Sequence, residues 1–245
     1  MKCVMIVLLM ILHITLYAQF PSGHEVLKRI DENMNSETKV VTSKMIIQGR
    51  RASRTIESKS WIEGEEKSFT EYLSPPREQG TKMLKIEDDL WMYSPSTDRI
   101  IRIAGHMLRQ SVMGSDLSYE DMMEDPRLEN HYDPIVTGTD TLNDTECWVM
   151  ELTAKTTEVA YYFRKMWVDK EKNVPLKEEL YAKGGTLLKK TEITEVKQVQ
   201  GRWYPYTMVF RDMLKRGEGT EFIIESITFN ENIPKYLFSK AALKR

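Results

Sequence analysis

The chain has 245 residues with 35 basic and 37 acidic side chains, which gives a formal net charge of -2 at neutral pH. Because nucleic-acid-binding surfaces are strongly basic, this balance argues against a nucleic-acid partner. The length is sufficient for a sizeable core, and a single domain is expected over residues 19–245.

The first residues have the pattern of a secretory signal peptide. Lys2 supplies a positive charge, residues 4–12 are all apolar, and Ala18 is a small residue at the expected cleavage site. The apolar run is too short for a membrane span, and His13 interrupts its continuation. We therefore predict cleavage after Ala18 and a periplasmic mature protein, with an uncleaved N-terminal anchor as the alternative.

One cysteine, Cys147, remains after this cleavage, so the mature chain has no intramolecular disulfide. Cys147 precedes Trp148 in a run of alternating apolar residues. This position favours a buried small apolar side chain over a reactive thiol.

The mature chain begins with a predicted helix and continues with strands. Ser22 and Glu25 have the spacing of a capping box, and the apolar residues that follow at helical spacing predict a helix over 23–34. From Lys39 to Phe229 the apolar period is mostly two, which predicts about ten or eleven short strands separated by turn residues. Strands do not alternate with helices, so the order favours an antiparallel meander that forms a barrel or a strongly curved sheet.

One segment, 104–132, has helical rather than strand periodicity. Within it, Ser118 is placed to cap a short helix that ends at Met123. A segment of this length inside a β fold is either a lid or a plug that fills the open end of the barrel. The last residues, 230–245, are predicted to form a packed extension.

The sequence lacks the patterns of known catalytic and metal centres. The three histidines of the mature chain have no metal-site spacing, and no phosphate-binding or dinucleotide-binding loop is present. Ser115 and Asp116 are adjacent, but sequence adjacency does not make a catalytic triad. We therefore predict no catalytic residue, no metal and no cofactor, and a hydrolase is a third hypothesis without a motif.

The apolar composition points to a ligand instead. The chain has 15 Met, 11 Tyr and 5 Trp, and Met suits surfaces that accept varied apolar partners. A curved sheet too wide to be filled by its own side chains holds an apolar ligand. Burial of a lipid chain there contributes about 0.8 kcal/mol per methylene. The alternative is that these side chains fill an ordinary core.

Four ordered motifs resemble the outer-membrane lipoprotein-sorting protein family, whose members look like the periplasmic carrier LolA. They are Leu73-Ser74-Pro75-Pro76-Arg77-Glu78-Gln79-Gly80-Thr81-Lys82-Met83-Leu84, Leu90-Trp91-Met92-Tyr93-Ser94-Pro95, Arg99-Ile100-Ile101-Arg102-Ile103 and Met113-Gly114-Ser115-Asp116-Leu117-Ser118-Tyr119-Glu120-Asp121. The resemblance implies a mainly β fold with flanking helices, in which an unclosed antiparallel β-barrel (a half-barrel) is covered by α-helices.

The resemblance also implies a function and partners. The protein would carry the acyl chains of lipoproteins or other lipids through the periplasm toward the outer membrane, without enzymatic activity. Its partners would be an inner-membrane exporter and an outer-membrane acceptor, and it would act as a monomer. In the second motif, Trp91 and Tyr93 would pack on one strand face and Leu90 and Met92 on the other.

The predicted lipid-contacting residues combine one sheet face with the helical segment: Leu90, Met92, Ile101, Met107, Met113, Met122, Trp148, Met150, Leu152, Met208 and Phe210. Alternation assigns residues to faces but leaves open which face lines a cavity. The alternative function is a non-enzymatic partner-binding module of the cell envelope, such as a stress sensor or an exporter accessory, on the same fold.

Overall fold

A computed structural model describes residues 20–49, 52–124 and 126–245. The predicted signal peptide, residues 1–18, lies outside these described residues. Three α-helices are present in the described ranges: α1 Gly23–Met34, α2 Tyr119–Met123 and α3 Leu128–His131. None of them is long and apolar enough to span a bilayer.

The described residues also form 13 strands. Their bounds are β1 Thr38–Gln48, β2 Ser53–Glu63, β3 Lys67–Ser74, β4 Lys82–Ile86, β5 Asp89–Ser94, β6 Arg99–Ile103, β7 Tyr132–Leu142, β8 Thr145–Ala154, β9 Phe163–Asp169, β10 Pro175–Tyr181, β11 Leu187–Val199, β12 Arg202–Asp212 and β13 Thr220–Phe229.

All 13 strands belong to one sheet, in which every described pair of neighbours is antiparallel. The order is β6-β5-β4-β3-β2-β1-β13-β12-β11-β10-β9-β8-β7, so the described sheet ends at β6 and β7 and does not close. Two meanders, β1–β6 and β7–β13, meet where β1 pairs with β13. The predicted half-barrel is confirmed.

The sequence prediction of ten or eleven strands was too low, and it missed β7. In this strand Tyr132, Pro134 and Val136 are buried on one face, while Ile135 is exposed on the other. An interior proline usually argues against a strand, and the exposed isoleucine blurs the alternation. Pro134 is accepted because β7 is an edge strand.

Helix α1 covers one end of the concave sheet face, and its predicted bounds are confirmed. The Glu25 N–H donates to Ser22 Oγ over 3.1 Å, which caps the first turn. Val26, Leu27 and Ile30 pack with buried residues of β7, β8 and β9, including Tyr132, Val136, Met150, Leu152, Met166 and Val168. A β-carbon at Gly23 would lie 2.3 Å from the Pro134 carbonyl oxygen, so only glycine allows this close approach.

The convex face is covered by residues that alternate with the concave ones. Trp91 packs there with Phe69, Leu84 and the C-terminal residues Ala242 and Leu243. Tyr93 joins this cluster, whereas Leu90 and Met92 belong to the concave side, as predicted. The C-terminal residues therefore form a packed extension.

Cys147 lies on the same convex face within the second meander and is buried with Val149 and Trp167. Burial raises the pKa of its thiol to about 11. The prediction of a buried apolar cysteine is confirmed.

Residues 104–131, which we call the cover segment, connect the edge strands β6 and β7 across the concave face. The segment contains two short 3-10 turns, Gly105–Arg109 and Val112–Gly114, followed by α2 and α3. Its helical character was predicted, and the predicted helix capped by Ser118 and ending at Met123 is α2. The cover segment and β1–β6 share one apolar cluster.

Candidate functional site: a cavity under the cover segment

A cavity of about 370 Å³ lies on the concave face between the cover segment and the middle of the sheet. Its volume is at the lower end of the range of roughly 300–1,000 Å³ that is usual for small-molecule sites. Its apolar wall consists of Met45, Ile56, Tyr72, Val112, Leu117, Met122, Leu180, Met208, Phe210 and Phe222.

The apolar floor of the cavity follows from strand register. Met45 on β1 pairs with Phe222 on β13, which pairs with Met208 on β12, so the three side chains form a row across the join between the two meanders. The Phe210 ring meets Phe222 edge-on, with centroids 6.4 Å apart. All three side chains line the cavity, so this row belongs to the concave side.

Hydroxyl groups line part of the cavity next to this floor. The Ser43 and Ser58 hydroxyl oxygens are 3.1 Å apart, and those of Ser60 and Thr70 are 2.8 Å apart. Each pair joins two neighbouring strands in register. Thr191 on β11 also lines the cavity.

Helix α2 forms part of the roof and begins with a complete capping box. The Ser118 N–H donates to Asp121 Oδ2 over 2.6 Å, and the Asp121 N–H donates to Ser118 Oγ over 3.3 Å. This reciprocal pair fixes the start of a helix of only five residues. Met122 thereby reaches the cavity from above.

The residues before α2 are fixed to the sheet by Asp116. Its carboxylate accepts hydrogen bonds from the Thr220 hydroxyl over 2.7 Å and from the Asp212 N–H over 3.1 Å. Ser115 is buried, and its hydroxyl bonds to the backbone of Leu117. Of the two residues that a hydrolase hypothesis would use, Asp116 thus holds the cover segment against β12 and β13, and Ser115 bonds within the segment.

Asp121 connects α2 to the second meander. Lys189 on β11 and the Tyr161 hydroxyl both donate to its carboxylate. Burial alone raises the pKa of Asp121, but the Lys189 charge and these hydrogen bonds outweigh it and leave the pKa below its usual value. Burial and the Asp121 carboxylate raise the pKa of Tyr161 well above its ordinary value. The pair is therefore held as a carboxylate and a neutral phenol at neutral pH.

Arg164 on β9 makes a second connection to the cover segment. Its guanidinium pairs with Glu124, at the end of α2, and with Glu178 on β10. The side chain is almost completely buried and lies over the rings of Tyr132 and Tyr161, at 4.8 and 5.6 Å from their centroids. Glu124 and Glu178 also line the cavity, so this ion pair forms one of its walls.

A third connection comes from Arg54 on β2. Its guanidinium donates to the Met113 carbonyl of the cover segment and pairs with Glu78 over 3.3 Å. Glu78 belongs to the turn between β3 and β4, so Arg54 joins two of the sequence motifs. Sequence reasoning did not select Arg54, Arg164 or Lys189, because the partners of each are distant in the chain.

The structure divides the predicted lipid-contacting residues into four groups. Met122, Met208 and Phe210 line the cavity. Leu90, Met92, Met107 and Met113 pack in the adjoining cluster beneath the cover segment. Trp148, Met150 and Leu152 lie in the cluster around α1, away from the cavity, and Ile101 on edge strand β6 is 38% exposed. The cavity also contains residues that were not predicted, notably Tyr72, Phe222 and the hydroxyl side chains.

In the described parts of the chain, no three His, Cys, Asp or Glu side chains are grouped in a way that would hold a metal ion.

Residues 64–245 match a family model described only as an uncharacterized "-like" protein. No curated protein matches the chain. A crystal structure of a DUF1329 family protein from Desulfovibrio piger is 25% identical, with a TM-score of 0.81 over 90% of this chain and 97% of that one. A protein from Vibrio parahaemolyticus described as an outer-membrane lipoprotein-sorting domain is also 25% identical, with a TM-score of 0.78 over 91% of this chain and 98% of its own.

The chain belongs to the family that this model describes, and in structure it is similar to a DUF1329 family protein and to an outer-membrane lipoprotein-sorting domain. A LolA superfamily protein from Nitrosomonas europaea has the same fold, with 23% identity and a TM-score of 0.73 over 91% of this chain and 100% of that one. The unclosed antiparallel sheet is therefore a LolA-like fold.

Proposed function

We propose that the protein is a periplasmic carrier that binds acyl chains of lipoproteins or other lipids in the cavity under the cover segment and moves them toward the outer membrane. The observation that supports this most is the cavity of about 370 Å³, which has an apolar floor and a roof tied down by polar contacts. The cover segment is also held by an apolar cluster shared with β1–β6, so release of cargo would require both kinds of contact to open.

The proposal includes the remaining expectations from the sequence. The mature protein would be one domain, released into the periplasm after cleavage of residues 1–18, and it would act as a monomer without catalysis. It would receive cargo from an inner-membrane exporter and deliver it to an outer-membrane acceptor. Osmotic-shock fractionation and N-terminal sequencing of the released protein test location and cleavage together, and a protein retained in the membrane fraction with an intact N-terminus would contradict them.

Lipid binding is tested by purifying the protein without detergent and analysing an organic extract by mass spectrometry. We expect acyl lipids in the extract, and we expect the delipidated protein to bind N-phenyl-1-naphthylamine, an apolar fluorescent probe. Thr191→Phe fills the cavity from β11 and should reduce both signals several-fold. Thr194→Phe places the same ring at an exposed position of the same strand and should leave both unchanged.

A protein that is lipid-free as purified and binds no probe would contradict the carrier function. It would favour the alternative of a non-enzymatic partner-binding module, and co-purification from the cell envelope would then identify the partner.

A further inference from the structure

The hydroxyl groups of the cavity wall indicate what kind of lipid is bound. We propose that the cavity selects acyl chains attached through an uncharged carbonyl group, that is an ester or an amide, over free fatty acids and plain hydrocarbons. This inference rests on the proposed function, since it specifies the ligand of the same cavity.

The first observation is an unused hydrogen-bond donor in each hydroxyl pair. A hydroxyl group has one hydrogen to donate and two acceptor lone pairs. In the Ser43–Ser58 pair and in the Ser60–Thr70 pair, one hydrogen joins the two oxygens and the other remains. Among the described residues, these four side chains make no other hydrogen bond. Each pair therefore has one hydrogen left for a partner from the cavity.

Burial makes these two hydrogens significant. Ser43 is 3% exposed and Thr70 is 7% exposed, and their partners Ser58 and Ser60 are half-buried, so each pair is largely withdrawn from bulk solvent. A buried polar group without a partner is unfavourable, whereas a carbonyl oxygen is a suitable acceptor. Ser58 and Ser60 lie two residues apart on β2, which places the two pairs about 7 Å apart along one side of the cavity. A ligand that is purely hydrocarbon would leave both hydrogens unused.

The second observation is the charge of the cavity wall. Its charged residues are three carboxylates, Asp121, Glu124 and Glu178, and one lysine, Lys189. Lys189 is already paired with Asp121, and Arg164, which lies beside the wall, is paired with both glutamates. A fatty-acid carboxylate would lose its hydration and meet excess negative charge, which is unfavourable. An ester or amide carbonyl avoids that repulsion.

The test uses delipidated full-length protein with N-phenyl-1-naphthylamine bound in the cavity, because this probe has no carbonyl group. Methyl laurate, laurate and tridecane are compared as competitors at pH 8, where laurate is ionised. We expect methyl laurate to displace the probe at concentrations about tenfold lower than either of the others.

The quadruple variant Ser43→Ala/Ser58→Ala/Ser60→Ala/Thr70→Val removes both hydroxyls of each pair, because removal of only one would leave the other with its hydrogen free. It should weaken methyl laurate about five- to tenfold and leave tridecane unchanged, because one net hydrogen bond is worth about that factor. Ser94→Ala/Ser96→Ala is the matched control, since it removes a hydroxyl pair of similar length, 3.0 Å, from an exposed turn. If the quadruple variant is unfolded by circular dichroism, Ser43→Ala/Ser58→Ala and Ser60→Ala/Thr70→Val each remove one pair and should give intermediate affinity.

The outcomes separate this inference from the function on which it rests. Laurate or tridecane binding as tightly as the ester, or a variant that weakens ester and hydrocarbon equally, overturns the carbonyl selectivity while the carrier function stands. Failure of the probe and of all three competitors to bind overturns both.

Discussion

The concave face of the sheet is covered in two different ways. Over β7–β9, helix α1 packs through aliphatic side chains into a cluster whose central residues are almost completely buried. Over the middle of the sheet, the cover segment leaves a cavity and is held by Asp116, Asp121, Glu124 and the Arg54 contact to Met113. The comparison shows that one sheet face carries both a close-packed core and a roof that combines an apolar cluster with polar contacts around a cavity. Four predictions test this difference.

The largest effect is expected from shortening a side chain under α1. Leu27→Ala leaves a void in a close-packed cluster and should lower the free energy of unfolding by about 2–5 kcal/mol. Met122→Ala in the cover segment should cost less than about 1 kcal/mol, because its side chain already borders the cavity. Urea unfolding of both variants measures the difference, and equal losses would mean that the two coverings are packed alike.

Arg164 is the residue that links the two regions most directly, since it extends from β9 to Glu124 of the cover segment. Arg164→Met leaves two carboxylates without their partner and should lower the free energy of unfolding by about 2 kcal/mol. This loss is smaller than that expected for a fully buried ion pair, because both glutamates are partly exposed. Arg102→Met, which breaks the exposed pair with Asp89, should cost well under about 1 kcal/mol in the same urea measurement. If the two variants lose equal stability, the Arg164 network has no special role.

Asp121 should make the attachment of the cover segment depend on acid. Its pKa is lower in the folded protein than in the unfolded chain, so its stabilising contribution is present above about pH 4 and is lost as the pH falls through the folded value. At pH 7 Asp121→Asn should be less stable by about 1.5 kcal/mol. We expect the stability difference between the wild type and Asp121→Asn to narrow as the pH falls below about 4 in denaturant titrations, and a constant difference would contradict the assignment.

The smallest perturbation concerns Cys147, on the convex side of the α1-covered region. Because its thiol is buried and its pKa is about 11, only about one thiol in a thousand is ionised at pH 8. Mass spectrometry should find the Cys147 peptide unmodified after treatment of native protein with iodoacetamide and fully modified in urea. Rapid native labelling would show that this region opens more readily than its packing indicates.

Most of the fold was predictable because local patterns determine it. The α1 bounds follow from Ser22 and the apolar spacing, and the sides taken by Leu90 and Trp91 follow from strand alternation. Strand β7 was missed because Pro134 and the exposed Ile135 obscure its pattern. Alternation assigns a side chain to a face, and the face was assigned correctly for Leu90 and Met92.

The candidate site was less predictable, because it depends on strand order. Met208 and Phe210 reach the cavity since β12 lies near the middle of the sheet, whereas Met150 and Leu152 lie beneath α1 since β8 is next to the edge. Nothing local distinguishes these two pairs. The ion pairs that hold the cover segment are equally difficult to predict from the sequence, because Asp121 and Lys189 are 68 residues apart in the chain.

The pairing of β1 with β13 has a consequence for how the molecule assembles. Strand β1 pairs with β2 on one side and with β13, the last strand, on the other. The β1–β13 contact therefore closes a loop of chain that contains β2–β12. Such distant pairing makes folding slow, because the entropy of ordering the intervening chain is lost before the contact forms. The Met45–Phe222–Met208 row crosses the β1–β13 pairing. A chain shortened before residue 220 would therefore have two separate sheets and would lack the cavity.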